Sequence, residues 1–454
     1  MTRLDLETAA TTVVDLARAE RYAEIEQRFA PSLRAVVSAE SLRVGWVGET
    51  SRVGPIVSVG QPITEPTAAG LTRMSVPLTC QRGALTVVMS LDDAGLLHGL
   101  RLAAPNVADW DPPAYAVPRR FTEQEVTLGS GPLAVTGTIT LPRRRGSRPG
   151  VVLLGGGGPF DRDETSGANK PLKDVAWGLA SRGVAVARFD KVTLTHSQVI
   201  TEPGFTVTDE YVPHALAAID QLRQQVGVDP ERVFVLGHSM GGRVAPRVAA
   251  ADASVAGMII LAGDTQPMHH AAVRVARHLA RVSPASIDQK TVENFARQAT
   301  LIDSPSLTPE TPAADLPFGW PAPYWLDLRA DDPAGRAAAL NKPTLILQGG
   351  RDYQVTVEDD LPGWRSGLAD RSDVTIRVYD ADDHLFFAGS GPSTPATYHP
   401  PQHVDAAVIA DITDWLIARS RMANQLEERG KGRARGGEQP PSAGPRSQTP
   451  VLGD

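Results

Sequence analysis

The sequence predicts an α/β fold: a mostly parallel eight-stranded sheet with helices on both faces and an inserted helical cap, preceded by a small α+β domain. Two observations predict it. Beyond residue 150, apolar runs at Val151–Leu154, Val184–Phe189, Val233–Leu236, Met258–Leu261, Thr344–Leu347 and Val374–Val378 alternate with helical stretches, the rhythm of parallel strands covered on both sides. Before residue 103 the rhythm differs: helical spacing first, then short runs separated by single glycines.

Taken in order, residues 1–40 carry Leu4, Leu6, Val13, Val14, Leu16, Ile25 and Phe29 at three- and four-residue steps, which predicts helices. Strands are expected around 53–59, 71–80, 84–91 and 96–102, with turns at Gly70, Gly83 and Gly95. Residues 1–103 thus read as the small α+β domain. Ala104–Pro118 holds four prolines, so 104–117 reads as a linker. The second domain is expected at 118–420. It opens with a hairpin, Glu123–Leu128 and Leu133–Leu141, around Gly129-Ser130-Gly131-Pro132. The interval from Leu261 to Thr344 is longer than a crossover needs, so about 264–340 reads as a cap over the sheet. Residues 421–454 are rich in Arg, Gly, Gln, Pro and Ser and read as a disordered tail.

Composition narrows the function. The net charge of −7 and the lack of a large basic run in the folded part speak against nucleic acid as a partner. The one cysteine, Cys80, excludes an intramolecular disulfide and a thiolate metal cluster. No apolar run is long enough for a membrane span. Asp5, Glu7 and Asp15 interrupt any apolar signal core, so a cytoplasmic location is expected. The expected partner is a small molecule, and a homodimer is left open.

The chemistry centres on Val233-Phe234-Val235-Leu236-Gly237-His238-Ser239-Met240-Gly241-Gly242. Four apolar residues run into Gly-His-Ser-Met-Gly, and an Ala-rich helix follows: the strand, turn and helix of a nucleophile elbow. A serine on so tight a turn needs small neighbours, which the flanking glycines supply. The turn also aims the Met240 N–H at the oxygen that becomes negative during attack. The second oxyanion donor is expected from Gly155-Gly156-Gly157-Gly158-Pro159, directly after a strand, at Gly157 or Gly156. No Gly-Lys-Ser/Thr follows this run, so it is no phosphate loop.

A serine nucleophile needs a base and an orienting acid. Asp352 follows the strand Thr344–Leu347 and His384 follows Val374–Val378, which places both at the carboxyl edge of the sheet, where open α/β sheets keep their sites. Asp264, after Met258–Leu261, competes for the acid. His399 and His403 remain competitors for the base. His238 must point away from Ser239 and reads as a packing residue, and Asp382 and Asp383 read as solvated loop. His214, His269, His270 and His278 fall in helical stretches and read as surface or cap residues. Arg162, in Asp161-Arg162-Asp163-Glu164, and Lys191, in Arg188-Phe189-Asp190-Lys191, read first as members of an ion-pair network and second as ligands for a polar substrate group. Trp320 and Tyr324 read as packing, or as lining for the acyl pocket.

These blocks together resemble the α/β-hydrolase superfamily, and within it the bacterial esterases near the serine-aminopeptidase-like and dienelactone-hydrolase-like enzymes. Leu153-Leu154-Gly155-Gly156-Gly157-Gly158-Pro159, Arg188-Phe189-Asp190-Lys191, Gly237-His238-Ser239-Met240-Gly241-Gly242, Gln348-Gly349-Gly350-Arg351-Asp352-Tyr353 and Asp383-His384-Leu385-Phe386 carry the resemblance. It implies Ser239 as nucleophile, Asp352 as acid, His384 as base and no cofactor or metal. In this group a histidine usually opens the oxyanion loop; Gly155 stands there instead. The N-terminal region resembles a cystatin-like cone domain by pattern. The implied activity is hydrolysis of carboxylic esters through an acyl-enzyme. An aminopeptidase or thioesterase on the same triad is the alternative, as is a non-catalytic binding protein on a hydrolase scaffold. An aminopeptidase would need a carboxylate in the cap, for which Asp303, Glu310 and Asp315 are available.

Overall fold

The computed structural model describes residues 3–419 except 36, 67–70, 82, 104–109, 145 and 285–286. Among the described residues thirteen strands form two sheets. The first is antiparallel and joins β1 (Ile56–Val59), β2 (Ile63–Pro66), β3 (Thr72–Cys80), β4 (Gly83–Leu91) and β5 (Leu97–Ala103) in the order β1-β3-β4-β5, with β2 also on β3. Alternate residues point one way. Met74, Val76, Leu78, Leu85, Val87 and Met89 face a core shared with helices Arg3–Arg18, Tyr22–Glu26 and Ala39–Val53. The helix Ala39–Val53 and strand β2 were not expected. Gly45 and Gly48 lie inside that helix and lower its intrinsic propensity, so the apolar pattern alone does not announce it.

The second sheet contains β6 (Phe121–Leu128), β7 (Val135–Pro142), β8 (Arg148–Leu154), β9 (Ala185–Phe189), β10 (Val228–His238), β11 (Met258–Leu261), β12 (Thr344–Gly349) and β13 (Val374–Tyr379). Their order is β13-β12-β11-β10-β8-β9-β7-β6. The pairs from β13 to β9 are parallel, while β9-β7 and β7-β6 are antiparallel. Both faces of the central strands are buried. Val152, Val235, Ile260 and Ile346 pack on one side with helices Val207–Arg223 and Met240–Ala251, and Val151, Phe234, Ile259 and Leu345 on the other with helix Pro171–Ser181 and the helix over 406–419. This double burial is why these strands read as unbroken apolar runs. The hairpin forms as expected, with Leu128 opposite Val135.

Between β11 and β12 the helices Met268–Val282, Gln289–Asp303, Ala322–Arg329 and Pro333–Leu340 make up the inserted segment. The described part of the stretch expected as a linker, 110–117, is tied to the second domain. Trp110 Nε1 donates to Asp174 (2.8 Å), the Tyr115 hydroxyl to the Val404 carbonyl (2.8 Å), and the Val117 N–H to Ser181 Oγ (2.7 Å). The rest of that stretch, and the tail expected at 421–454, lie outside the described residues. No helix among the described residues is long and apolar enough to cross a membrane.

Candidate active site

Strand β10 ends at His238, and helix Met240–Ala251 begins two residues later. Ser239 between them has φ 53° and ψ −121°, a region that side chains rarely enter and that costs on the order of 1–3 kcal/mol. The surroundings enforce it. The Ser239 N–H donates to the Leu261 carbonyl (2.8 Å), and the Ser239 carbonyl accepts from Arg243 (3.1 Å). A Cβ on Gly237 would collide with the Gly241 carbonyl, and one on Gly241 would collide with the Leu154 carbonyl. The turn therefore closes only with glycine at both positions.

Asp352 and His384 come from the loops after β12 and β13, adjacent parallel strands. Both side chains are buried, and His384 Nδ1 lies 2.7 Å from Asp352 Oδ2. The other oxygen, Oδ1, accepts the N–H groups of Gln354 (2.7 Å) and Val355 (3.0 Å), while Gln348 Nε2 donates to Oδ2 (3.2 Å). With so many donors the carboxylate is fixed in place. Nδ1 of His384 is thereby the protonated nitrogen, and Nε2 is left as the acceptor. Ser239 Oγ makes no side-chain hydrogen bond within 3.5 Å among the described residues.

Asp264, the competing acid, is engaged elsewhere: buried Arg243 donates to its Oδ2 (2.7 Å). His403 faces Asp174 at 3.2 Å, far in sequence and fold from the elbow. His214 bonds the Leu133 carbonyl (2.8 Å), and His278 bonds the Ser393 carbonyl (3.0 Å). Asp303 is shared by His269 (2.8 Å) and His270 (2.7 Å), so this cap carboxylate already has partners.

The glycine loop after β8, expected to supply the second oxyanion donor, is braced from three sides. Gly156 N–H donates to Glu164 Oε1 (2.7 Å), and its carbonyl accepts from Lys191 Nζ (2.8 Å) and the Tyr211 hydroxyl (2.8 Å). The Gly156 donor is thus consumed, whereas Gly157 lines the cavity that holds Ser239 and Met240. Glu164 also meets His238 Nδ1 (2.9 Å), and His238 Nε2 lies 2.9 Å from the His384 carbonyl. Burial alone would raise the Glu164 carboxyl, but His238 and the Gly156 N–H outweigh it and hold it below the ordinary range. Burial likewise pulls His238 down, and Glu164 reverses this and leaves it raised. The two form a buried ion pair joining the glycine loop, the elbow and the backbone of His384.

His238 is therefore more than the packing residue expected. Asp382 and Asp383 also depart from expectation. Each is 1% exposed rather than solvated, and Asp383 Oδ1 accepts the N–H groups of Leu385 (3.0 Å) and Phe387 (3.1 Å), which shapes the loop that carries His384. Arg162 and Lys191 are taken up by the protein rather than held open for substrate. Arg162 pairs with Asp190 (2.9 Å), and Lys191 is buried against Glu210 (3.1 Å). Burial holds the Lys191 amine below its ordinary value despite Glu210. Sequence reasoning missed Tyr211 and Glu210 and took Glu164 only as one member of the charge cluster 161–164, without its partners Gly156 and His238.

Two chambers meet here. One, about 350 Å³, contains Gly157, Ser239 and Met240 and is walled by apolar cap side chains such as Met268, Ala272, Leu279 and Phe295. The other, about 550 Å³, lies between the two domains and is lined by Gly158, Pro159, Trp320 and Tyr324 together with the first sheet. Phe318, with φ 60°, lines both. Trp320 and Tyr324 pack edge to face at 5.0 Å, and the buried Tyr324 hydroxyl donates to Glu210 (2.5 Å).

The family described as "Serine aminopeptidase, S33" matches residues 168–388. Esterase EstD of Thermotoga maritima is 35% identical over 343 residues, which cover 75% of this chain and 78% of that protein. Among solved structures, Est1E from Butyrivibrio proteoclasticus superposes with a TM-score of 0.42 at 14% identity, over 65% of this chain and 99% of that one. An esterase from Pyrococcus furiosus does so at 0.41 and 15%, over 70% and 96%. With that kinship to EstD over most of its length, and with a strained serine between the central strand and its helix, the chain belongs to the esterases of the α/β-hydrolase superfamily and is a carboxylic ester hydrolase.

Proposed function

We propose that the chain cleaves carboxylic esters of small or medium size through Ser239, with His384 as base and Asp352 as its orienting acid. The observation that carries this reading is the 2.7 Å contact between His384 Nδ1 and a fully buried Asp352, on the sheet edge that also presents Ser239. His384 Nε2 takes the Ser239 proton as Oγ attacks the ester carbonyl. The carbonyl oxygen becomes negative and is held by the N–H groups of Met240 and Gly157, since Gly156 has already spent its own on Glu164. Losing one such donor costs roughly 3 kcal/mol of transition-state stabilisation. Imidazolium then protonates the leaving alcohol, giving an acyl-enzyme. Water, deprotonated by the same nitrogen, attacks the acyl carbon, and Ser239 leaves with its proton restored. The apolar chamber around Ser239 suits an uncharged acyl chain.

A fluorophosphonate probe, followed by peptide mapping, tests the nucleophile. The expected adduct is on Ser239, with labelling and aryl-ester hydrolysis both absent in Ser239→Ala while the thermal midpoint stays within a few degrees. Hydrolysis within a few-fold of wild type in that variant would remove Ser239 from the role. Aminoacyl anilides run beside acyl esters separate the aminopeptidase reading; faster cleavage of the anilides would favour it.

A further inference from the structure

The second chamber has a chemical character that ester hydrolysis alone does not call for. Its far wall is the outer face of the first sheet. In β3 and β4 the residues Met74, Val76, Val87 and Met89 turn inward to the domain's core, so their alternates Arg73, Val88 and Ser90 lie on the opposite face. In register, Arg73 stands across from Ser90, and Val88 stands across from Arg101 of β5, so the two arginines flank β4 on one face. Both line the chamber. Among the described residues neither guanidinium has a carboxylate partner within ion-pair distance. The acid in register with them is Glu65, across from Arg73 on β2. By register this wall sets two arginines against that one acid.

The other ionisable groups of the chamber are accounted for. His98 bonds Asp92 (3.0 Å), and Glu210 is held by Lys191 (3.1 Å), Thr193 (2.6 Å) and Tyr324 (2.5 Å). Arg101 is held below its ordinary value, first by partial desolvation and then by the like charge of Arg73. Opposite them stand Trp320, Tyr324 and Phe318. The oxyanion loop passes from one chamber to the other, with Gly157 beside Ser239 and Gly158 and Pro159 beside the arginines' chamber.

We propose that this chamber binds a carboxylate on the alcohol side of the ester, so that the preferred substrates are esters whose leaving alcohol or phenol carries a negative charge. The inference rests on the reading of Ser239 as nucleophile. The acyl chain enters the apolar chamber, the ester carbonyl lies at Ser239 and Gly157, and the leaving group passes Phe318 toward Arg73 and Arg101. Its aromatic or aliphatic body meets Trp320, and its carboxylate meets the guanidinium groups, whose planar donors suit a carboxylate. The first domain thereby supplies specificity to a site whose chemistry lies wholly in the second.

The test compares the butyrate esters of two matched phenols, 4-butyryloxybenzoate and its neutral methyl ester, in the full chain, with each rate divided by that of spontaneous hydrolysis. The readout is the ratio of their kcat/KM values. Wild type is expected to favour the anionic ester, with the preference falling as salt rises. In Arg73→Gln/Arg101→Gln the ratio should drop on the order of tenfold or more, mostly through KM, as a charge-assisted contact is lost. Arg73→Glu should drop it further, and Arg101→Lys should retain part of it. A ratio that is unchanged in the double variant, or that is insensitive to salt in wild type, overturns the proposal. Hydrolysis of the neutral ester in every variant reports that the fold is intact. If wild type cleaves neither ester and takes no fluorophosphonate label, the reading of Ser239 fails; if it cleaves both with equal efficiency, only the carboxylate site fails.

Discussion

Glu164 and His238 show how much of this site is held by residues that never touch the reacting atoms. Together they link the Gly156 N–H to the carbonyl of His384. Removing one member leaves the other charged and buried, which costs roughly 3–5 kcal/mol, whereas neutralising both costs less. His238→Ala is therefore expected to lower the urea midpoint more than Glu164→Gln/His238→Asn does, and a double-mutant cycle measures the coupling. Additive effects would mean the pair is not ionised. Asp382 behaves in the opposite sense. Among the described residues both its buried carboxylate oxygens lack hydrogen-bond partners, and burial, then Asp405 and Asp383, push its pKa up to about 7, with Arg351 pulling the other way. The folded chain thus holds a proton that the unfolded chain releases near pH 4, so stability falls as pH climbs from about 4 to about 7. Asp382→Asn should flatten that decline and raise the thermal midpoint above pH 7; an unchanged midpoint profile would contradict it. The sequence makes Ser239, Asp352 and His384 legible because each sits at a fixed place after a strand. It hides Glu164 and His238 because their meeting depends on contacts across 74 residues, which no local pattern records.

At the scale of elements, glycine has two opposite meanings in this chain. Gly241 faces the Leu154 carbonyl so closely that no Cβ fits, while nothing lies within 4 Å of a Cβ on Gly45. Gly241→Ala should therefore yield little folded protein and no probe label. Gly45→Ala, in the interior of helix Ala39–Val53, should stabilise by roughly 0.5–1 kcal/mol. Thermal melts of both decide it; a destabilised Gly45→Ala would mean the helix does not govern the melting of this domain. The same contrast explains what could be read in advance. The strands from β8 to β12 are visible because both faces are buried and their apolar runs are continuous, while β13 shows through the alternation of Val374, Ile376 and Val378. Helix Ala39–Val53 is not, because Gly45 and Gly48 argue against helix and only tertiary burial of Leu42, Trp46 and Val53 overrides them.

For the whole molecule, the question is what the first domain does for the second. It has a core of its own, and it meets the second domain around a chamber that Gly158 and Pro159 also line. Every group assigned to bond cleavage lies beyond residue 150, and residues 110–117 belong with the second domain through Trp110, Tyr115 and Val117. A cut after residue 109 should therefore leave an enzyme that still labels at Ser239 and cleaves neutral aryl esters. A cut after residue 117 should be clearly less stable, because it removes three hydrogen bonds and leaves the buried Asp174 carboxylate without its Trp110 donor. The shorter truncation should also lose any preference for anionic leaving groups, since Arg73 and Arg101 go with it, and it should expose the partly buried Ile200, which lines the chamber from the second domain. Probe labelling, melting temperature and the ester ratio of the two truncations separate these contributions. A protein cut after 109 that is folded but takes no label would show that the first domain completes the catalytic site itself.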